Sequence, residues 1–229
     1  MLNEQVFEGS KSIKYVFFEG ESDYLVVIFS AFNGPDAKRQ HSYNYIKSLS
    51  GLNINRLYIL DHYGERGSYY LGKLSNGLVE DSVNSLIVNI SENLNIKKEK
   101  VILCGSSKGG STALYYGLKY NYGHVISGAP QVFIADYLNS LEHTQSTLDY
   151  IIGAKNKASY DKLNNLILHQ IKENTNKCDI RLFSSEKDWQ YKRHVVPLIS
   201  KFSESKVDYS IVMSEYLSHS EVGTYFTEY

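Results

Sequence analysis

The stretch Gly105-Ser106-Ser107-Lys108-Gly109 sets a serine between two glycines, with the apolar run Val101–Cys104 before it and a helical pattern over Thr112–Tyr120 after it. A strand that turns sharply into a helix lifts the serine hydroxyl above the sheet. Glycines two positions away on each side keep such a turn free of clashes. The chemistry this allows is nucleophilic attack on an acyl carbonyl, with Ser107 as nucleophile and Ser106 as its neighbouring alternative. The helix N-terminus supplies free N–H groups where negative charge develops, and the Lys108 N–H is the first oxyanion donor. A plain Gly/Ser turn with Ser106 or Ser107 as helix cap is the competing reading. A phosphate loop needs glycine-lysine followed directly by serine or threonine, whereas here Lys108 precedes the glycines. The G-x-G-x-x-G dinucleotide fingerprint is absent.

A serine hydroxyl attacks only when a base takes its proton and an acid orients that base. The chain supplies both in the order serine, acid, histidine. "CDIRLFSSEKDWQY" is a strand that ends in an acidic loop, where Asp188 is the better-placed acid and Glu186 the runner-up. "YSIVMSEYLSHSEVGTYF" is a later strand followed by His219. His194 also follows the acid but reads as a surface or capping residue, and the other histidines precede the serine or fall away from the site edge. A second oxyanion donor belongs in the loop "FSAFNGPDAK", at the N–H of Phe32 or Asn33. The loop "LDHYGERGSYYLG" presents Tyr63, Arg66, Tyr69 and Tyr70, a set suited to stacking on a sugar and hydrogen-bonding to it. Tyrosines packed beneath a polar loop are the plainer reading of the same residues.

Positioning these residues takes an alternation of strands and helices. Tyr15–Phe18, Leu25–Ser30, Arg56–Leu60, Val101–Cys104, Val125–Ser127, Ile180–Ser184 and Tyr209–Met213 read as strands, and the central ones are nearly unbroken apolar runs. Tyr43–Leu49, Leu78–Leu94, Thr112–Tyr120, Tyr160–Glu173 and Val195–Ser203 have helical spacing. This pattern predicts an α/β fold with a mostly parallel central sheet and helices on both faces. Ligands of such sheets sit outside the carboxyl ends of the strands, where the loops named above converge. No repeat or linker divides residues 1–229, so a single domain is expected. The polar segment 134–176 is either a helical cap over the site or a pair of surface helices.

With 24 basic and 25 acidic residues the formal net charge is −1, so no basic field attracts nucleic acid or anionic lipid. No apolar run reaches the roughly 18 residues of a membrane span. The N-terminus reads as lacking a secretory leader. Cys104 and Cys178 have neither metal nor disulfide spacing. A cytoplasmic protein without metal or cofactor is expected. Tyrosine is abundant, at 20 residues against 9 phenylalanines, and it offers both stacking area and a hydroxyl.

Taken together, the serine motif with its later acid and histidine resembles the α/β-hydrolase superfamily over nearly the whole chain. More narrowly, "GSSKGGSTALYYGLKY", "VISGAPQ", "DHYGERGSYYLG" and "SEKDWQY" are similar to two related bacterial groups. These are the capsular-polysaccharide biosynthesis proteins of the XcbB/CpsF type and the accessory Sec system proteins that acetylate glycosylated adhesins. The resemblance implies a cytoplasmic protein working on acyl, above all acetyl, groups of glycans or glycoconjugates. Its substrates would be a small acyl donor and a glycan, with a protein partner in a biosynthesis or secretion complex. Many members are longer and carry additional partner-binding parts. Two function classes follow: a serine esterase or O-acyltransferase, and a catalytically inactive glycan- or protein-binding module on the same fold.

Overall fold

The structure is a computed structural model and describes residues 3–153, 156–173 and 178–229. Its strands are β1 (Gln5–Glu8), β2 (Ser12–Phe18), β3 (Leu25–Phe29), β4 (Asn55–Ile59), β5 (Val101–Ser106), β6 (His124–Gly128), β7 (Asp179–Ser184) and β8 (Tyr209–Met213). They form one sheet in the order β1-β2-β4-β3-β5-β6-β7-β8. β2 runs antiparallel to both β1 and β4, and from β4 to β8 every pairing is parallel. The run Leu25-Val26-Val27-Ile28-Phe29 is buried at every position, as a strand covered on both faces requires. Alternate side chains go to opposite faces. Val27, Phe29, Leu57, Ile59 and Leu103 join the main core, whereas Val26, Ile28, Tyr58 and Cys104 face the other side.

The helices are α1 (Leu78–Asn93), α2 (Lys108–Tyr120), α3 (Ile134–Ser140), α4 (Gln145–Ile152), α5 (Lys157–Asn164), α6 (Leu166–Glu173), α7 (Val196–Ser205) and α8 (Val222–Phe226). α1, α2, α6 and α7 lie over the main core. The second face is covered by the turns around Tyr43–Leu49 and by α8, whose Phe226 ring meets Tyr45. The helices of segment 134–173 bury Leu138, Ile151, Leu163, Ile167 and Ile171 in the main core, and α6 packs on α2 and α7. They are built into the body of the fold, while α3 places Tyr137 beside Trp189 of the acid loop and α4 places Tyr150 against Gly64 of the loop after β4. The end of the expected 134–176 segment lies outside the described residues.

Three departures from the sequence reading have physical causes. β1 is short and polar (QVFE), so no apolar run announced it. Tyr43–Leu49 has helical spacing but forms turns, with Tyr45 in the left-handed region at φ 63°. Side-chain ties hold it there: Asn44 accepts from the Ala31 N–H, Tyr45 bonds to Ser106, and Tyr43 donates to Glu4. Tyr160–Glu173 divides into α5 and α6 at Asn165.

α2 lies so close to the sheet that glycine is required at its start. A Cβ on Gly109 would stand 2.3 Å from the Phe29 carbonyl oxygen, whereas one on Gly34 would meet nothing within 4 Å. Gly109→Ala should therefore destabilise the fold by about 1–3 kcal/mol through overpacking, and Gly34→Ala should change little. Urea midpoints of the two variants would check this, and equal midpoints would contradict the close packing.

Candidate active site

The site is built on the turn between β5 and α2. Ser107 adopts φ 54° and ψ −122°, a strained conformation for a residue with a side chain. Its N–H donates to the Gly128 carbonyl at 2.7 Å. Gly105 and Gly109 let the turn close, since a Cβ at either would come within 2.7 Å of the Phe29 carbonyl oxygen. The hydroxyl stands at the carboxyl ends of the parallel strands, just ahead of the first turn of α2.

Two other loops reach it there. His219 Nε2 lies 2.8 Å from Ser107 Oγ, and His219 Nδ1 lies 2.7 Å from Asp188 Oδ2. Asp188 is buried, and its Oδ1 accepts the Gln190 N–H at 2.9 Å. The imidazole thus bridges a buried carboxylate and the serine hydroxyl, in the tautomer that donates from Nδ1 to the carboxylate and accepts at Nε2. The histidine loop is fixed by a capping box, in which Ser218 accepts from the Ser220 N–H while Glu221 accepts from the Leu217 and Ser218 N–H groups. Ser185 donates to the Tyr216 carbonyl and ties the acid loop to the histidine loop. Glu186, the alternative acid, is exposed. Ser106 points the other way and bonds to Tyr45.

Gln131, from the loop after β6, was not singled out in the sequence. It is fully buried, and its Nε2 donates to Ser107 Oγ at 2.8 Å and to Gln190 Oε1 at 2.8 Å. Its Oε1 accepts from Tyr69 and Ser111, each at 3.3 Å. The signal that could have found it is its position just past the carboxyl end of a central strand.

The expected sugar-facing set requires correction. Tyr69 and Tyr70 are 1% exposed and belong to the main core. Tyr70 accepts from the Ser30 N–H and donates to the Ile59 carbonyl, and Tyr69 donates to Gln131. Rings held this way cannot stack on a ligand. Arg66 is buried too and donates to the Asn33 carbonyl at 2.6 Å, so it braces the loop expected to carry the second oxyanion donor. Tyr63 donates to the Ser12 carbonyl at the sheet edge. Among the described residues, the N–H groups of Phe32, Asn33 and Lys108 have no acceptor.

The Lys108 side chain has a separate task. It is buried, and its Nζ lies 2.7 Å from Asp61 Oδ2, over the rings of Phe32 and Tyr70. Asp61 also accepts from the Ser68 N–H and Oγ. The pair locks the serine turn to the loop after β4. His194 likewise departs from its expected surface role: it is buried in a π-helical turn, Tyr191–Val195, and its Nδ1 accepts the Phe133 N–H.

This strand order, with a serine on the β5–α2 turn and acid and histidine after β7 and β8, defines an α/β-hydrolase fold. The family model described as accessory Sec system GspB-transporter matches residues 15–182, and the chain belongs to that family. An accessory Sec system protein of Staphylococcus aureus (strain NCTC 8325 / PS 47) is 30% identical over 175 residues. The match covers 72% of this chain, and the chain spans only 32% of that relative's length. Among solved structures, the capsule O-acetyltransferase of Neisseria meningitidis serogroup A superposes with a TM-score of 0.83 at 26% identity, covering 99% of this chain and 91% of that one. A variant of the same acetyltransferase has been solved with CoA. A chain of the Glycosylation Associate Protein complex from Streptococcus agalactiae shares the fold, with a TM-score of 0.74 at 20% identity over 100% of this chain and 46% of that one. A fluorophosphonate-binding serine hydrolase of Staphylococcus aureus shares the fold at 13% identity, with a TM-score of 0.73 over 100% of this chain and 96% of that one. No helix among the described residues is long and apolar enough to cross a membrane.

Two predictions follow from the buried charges. Lys108→Met leaves Asp61 buried without its cation and should cost about 3–5 kcal/mol, whereas adding Asp61→Leu should recover most of the loss. Denaturant titrations of the single and double variants would decide, and a double variant no better than the single would refute the pairing. Burial, aided by the Arg193 charge, pushes the His194 imidazole down from 6.5 to about 4, and burial lowers His41 as well. The unfolded chain then takes the proton first, so stability is full above pH 6.5 and drains as pH falls toward 4. His194→Gln should flatten that limb by up to about 3 kcal/mol, as read from urea midpoints across the interval. An unchanged slope would count against a neutral buried imidazole.

Proposed function

We propose that this chain is a serine-dependent O-acyltransferase or esterase acting on acyl groups, chiefly acetyl, of a glycan or glycoconjugate. The observation that carries the reading is the hydrogen-bonded series Ser107–His219–Asp188 at a strained strand-to-helix turn. Ser107 Oγ attacks the acyl carbonyl while His219 Nε2 takes its proton, and Asp188 stabilises the imidazolium that forms. The N–H of Lys108, at the N-terminus of α2, and the N–H of Phe32 or Asn33 receive the oxyanion. The leaving group departs with the proton from His219, and Ser107 is left as an ester. His219 then takes a proton from the acceptor hydroxyl, whose oxygen attacks the ester, and Ser107 recovers its proton. A sugar hydroxyl as acceptor gives transfer, and water gives hydrolysis.

The likeness to a capsule O-acetyltransferase, solved also with CoA, favours an acyl-CoA thioester as donor and a glycan as acceptor. A cytoplasmic setting suits such a donor. Membership in an accessory Sec family and a fold shared with a component of a glycosylation-associated complex favour work beside a protein partner. We treat residues 1–229 as one catalytic unit. The alternative of an inert binding module leaves unexplained why a buried acid, a histidine and a strained serine meet at hydrogen-bond distance.

Ser107→Ala should abolish turnover of small acyl esters, a loss on the order of 10⁶-fold where a triad serine has been removed elsewhere, and should end labelling by a fluorophosphonate. Asp188→Asn should cost on the order of 10⁴-fold by holding the histidine in the wrong tautomer, while Glu186→Gln should leave the rate near that of the parent. Steady-state kinetics and labelling on the four proteins would test this. Retention of labelling by Ser107→Ala would sink the assignment.

A further inference from the structure

Trp189 is the single tryptophan of the chain and stands 45% exposed, one residue past the triad acid. Its ring plane lies within 19° of that of Tyr137, with centroids 6.4 Å apart, and the Arg193 guanidinium sits 5.4 Å from its centre. These residues wall a cleft of about 200 Å³ between α3 and the π-helical turn, closed further by Phe133 and His194. The His194 ring receives the Phe133 N–H at Nδ1, so the proton of the neutral ring is on Nε2. Among the described residues nothing accepts from that Nε2–H. Its burial keeps the ring neutral at ordinary pH. Asp136 and Ser140 add acceptors on the opposite wall. Asp136 Oδ1 is already held by Tyr160 and Asn164, which fixes the carboxylate in place.

The chemistry of this lining selects among ligands. Aromatic faces beside fixed donors and acceptors suit a pyranose, which offers C–H groups on its face and hydroxyls around its edge. An acyl chain would strand the polar groups. A diphosphate would meet one guanidinium and an opposing carboxylate, a poor field for an anion. The cleft adjoins the acid loop: Trp189 stands between Asp188 and Gln190, and Gln190 accepts from Gln131, which donates to Ser107 Oγ. Because no triad side chain lines the cleft, a sugar held against Trp189 would present its reacting hydroxyl from a neighbouring unit of the same chain.

We propose that this cleft is an acceptor subsite for one neutral sugar unit of an oligosaccharide, with Trp189 as stacking platform and Arg193 and the His194 Nε2–H as hydroxyl donors. The proposal rests on the reading of the enzyme as a glycan acyltransferase, and its test is chosen to stand apart from catalysis. Because Trp189 is the only tryptophan, its fluorescence reports the cleft directly. Ser107→Ala protein would be titrated with tetrasaccharides of glucose, mannose, N-acetylglucosamine and N-acetylgalactosamine, and separately with CoA.

At least one tetrasaccharide should shift the emission saturably. Arg193→Ala should weaken that binding about tenfold, the loss of one charge-assisted hydrogen bond, with the melting temperature unchanged. In the enzyme with Ser107 intact, Trp189→Phe should raise the KM for the same glycan while kcat at saturation is retained. A shift caused by CoA and by none of the glycans would overturn the proposal, and so would the absence of any saturable shift. Should a glycan saturate the signal while Ser107→Ala retains full transferase activity, the subsite stands and the serine mechanism falls.

Discussion

Everything at this site depends on one residue held where it does not prefer to be. Ser107 at φ 54° and ψ −122° carries a backbone cost of about 1–3 kcal/mol, so its surroundings must over-determine it. They do so from three sides. The Gly128 carbonyl takes its N–H, and glycines at 105 and 109 allow α2 to press against β3 within reach of the Phe29 carbonyl. The neighbouring Lys108 is anchored by a buried ion pair to Asp61 in the loop after β4. A buried pair is weak evidence for stability as such, because desolvation offsets most of its attraction. Its value here is positional. The lysine that follows Ser107 cannot swing away, so its backbone N–H is held at the N-terminus of α2.

The same constraint explains why so many tyrosines are spent beneath the site instead of on its surface. Tyr70 bonds to the backbone at the ends of β3 and β4, Tyr116 bonds to the Tyr70 carbonyl, and Tyr69 bonds to Gln131. Burial raises the hydroxyl of Tyr69 well above its usual range, so it remains a donor. These rings fill core volume while their hydroxyls satisfy loop groups that would otherwise be buried without partners. The polar support of Ser107 therefore arrives from the apolar core.

This also accounts for what could and could not be seen in the sequence. Ser107, Asp188 and His219 were legible because each follows an apolar strand, and chain order alone brings strand ends together in a parallel sheet. The sheet was legible for the same reason, apart from a short polar edge strand. Tyr69 and Tyr70 misled because a tyrosine among polar neighbours has the same composition whether its ring faces solvent or core. Only the left-handed backbone at both residues, invisible in the sequence, turns them inward. Tyr43–Leu49 misled because helical spacing describes which residues are apolar and not whether side-chain ties override the helix. Gln131 carried the strand-end signal but lacks a titratable or nucleophilic group to single it out, and the Lys108–Asp61 pair was hidden because its partners lie 47 positions apart, a distance that no local pattern marks.

Under the acyl-transfer reading, the remaining question is what keeps water from ending the cycle early, since His219 would serve water and sugar alike. The hydrogen-bonding capacity of the inner wall is already in use. Gln131 donates to Ser107 and Gln190 and accepts from Tyr69 and Ser111. Asp188 accepts from His219 and the Gln190 N–H. Ser107 itself is only 8% exposed. A water is held in place when two to four polar groups are free to bind it, and these side chains have committed theirs to one another, leaving the N–H groups of Phe32, Asn33 and Lys108 without an acceptor among the described residues. An acceptor must then be held by contacts beyond the triad. If the cleft at Trp189 and α3 is the acceptor subsite proposed above, those contacts lie on the outer side of the acid loop, and the choice between transfer and hydrolysis falls to a part of the site that the triad side chains do not line.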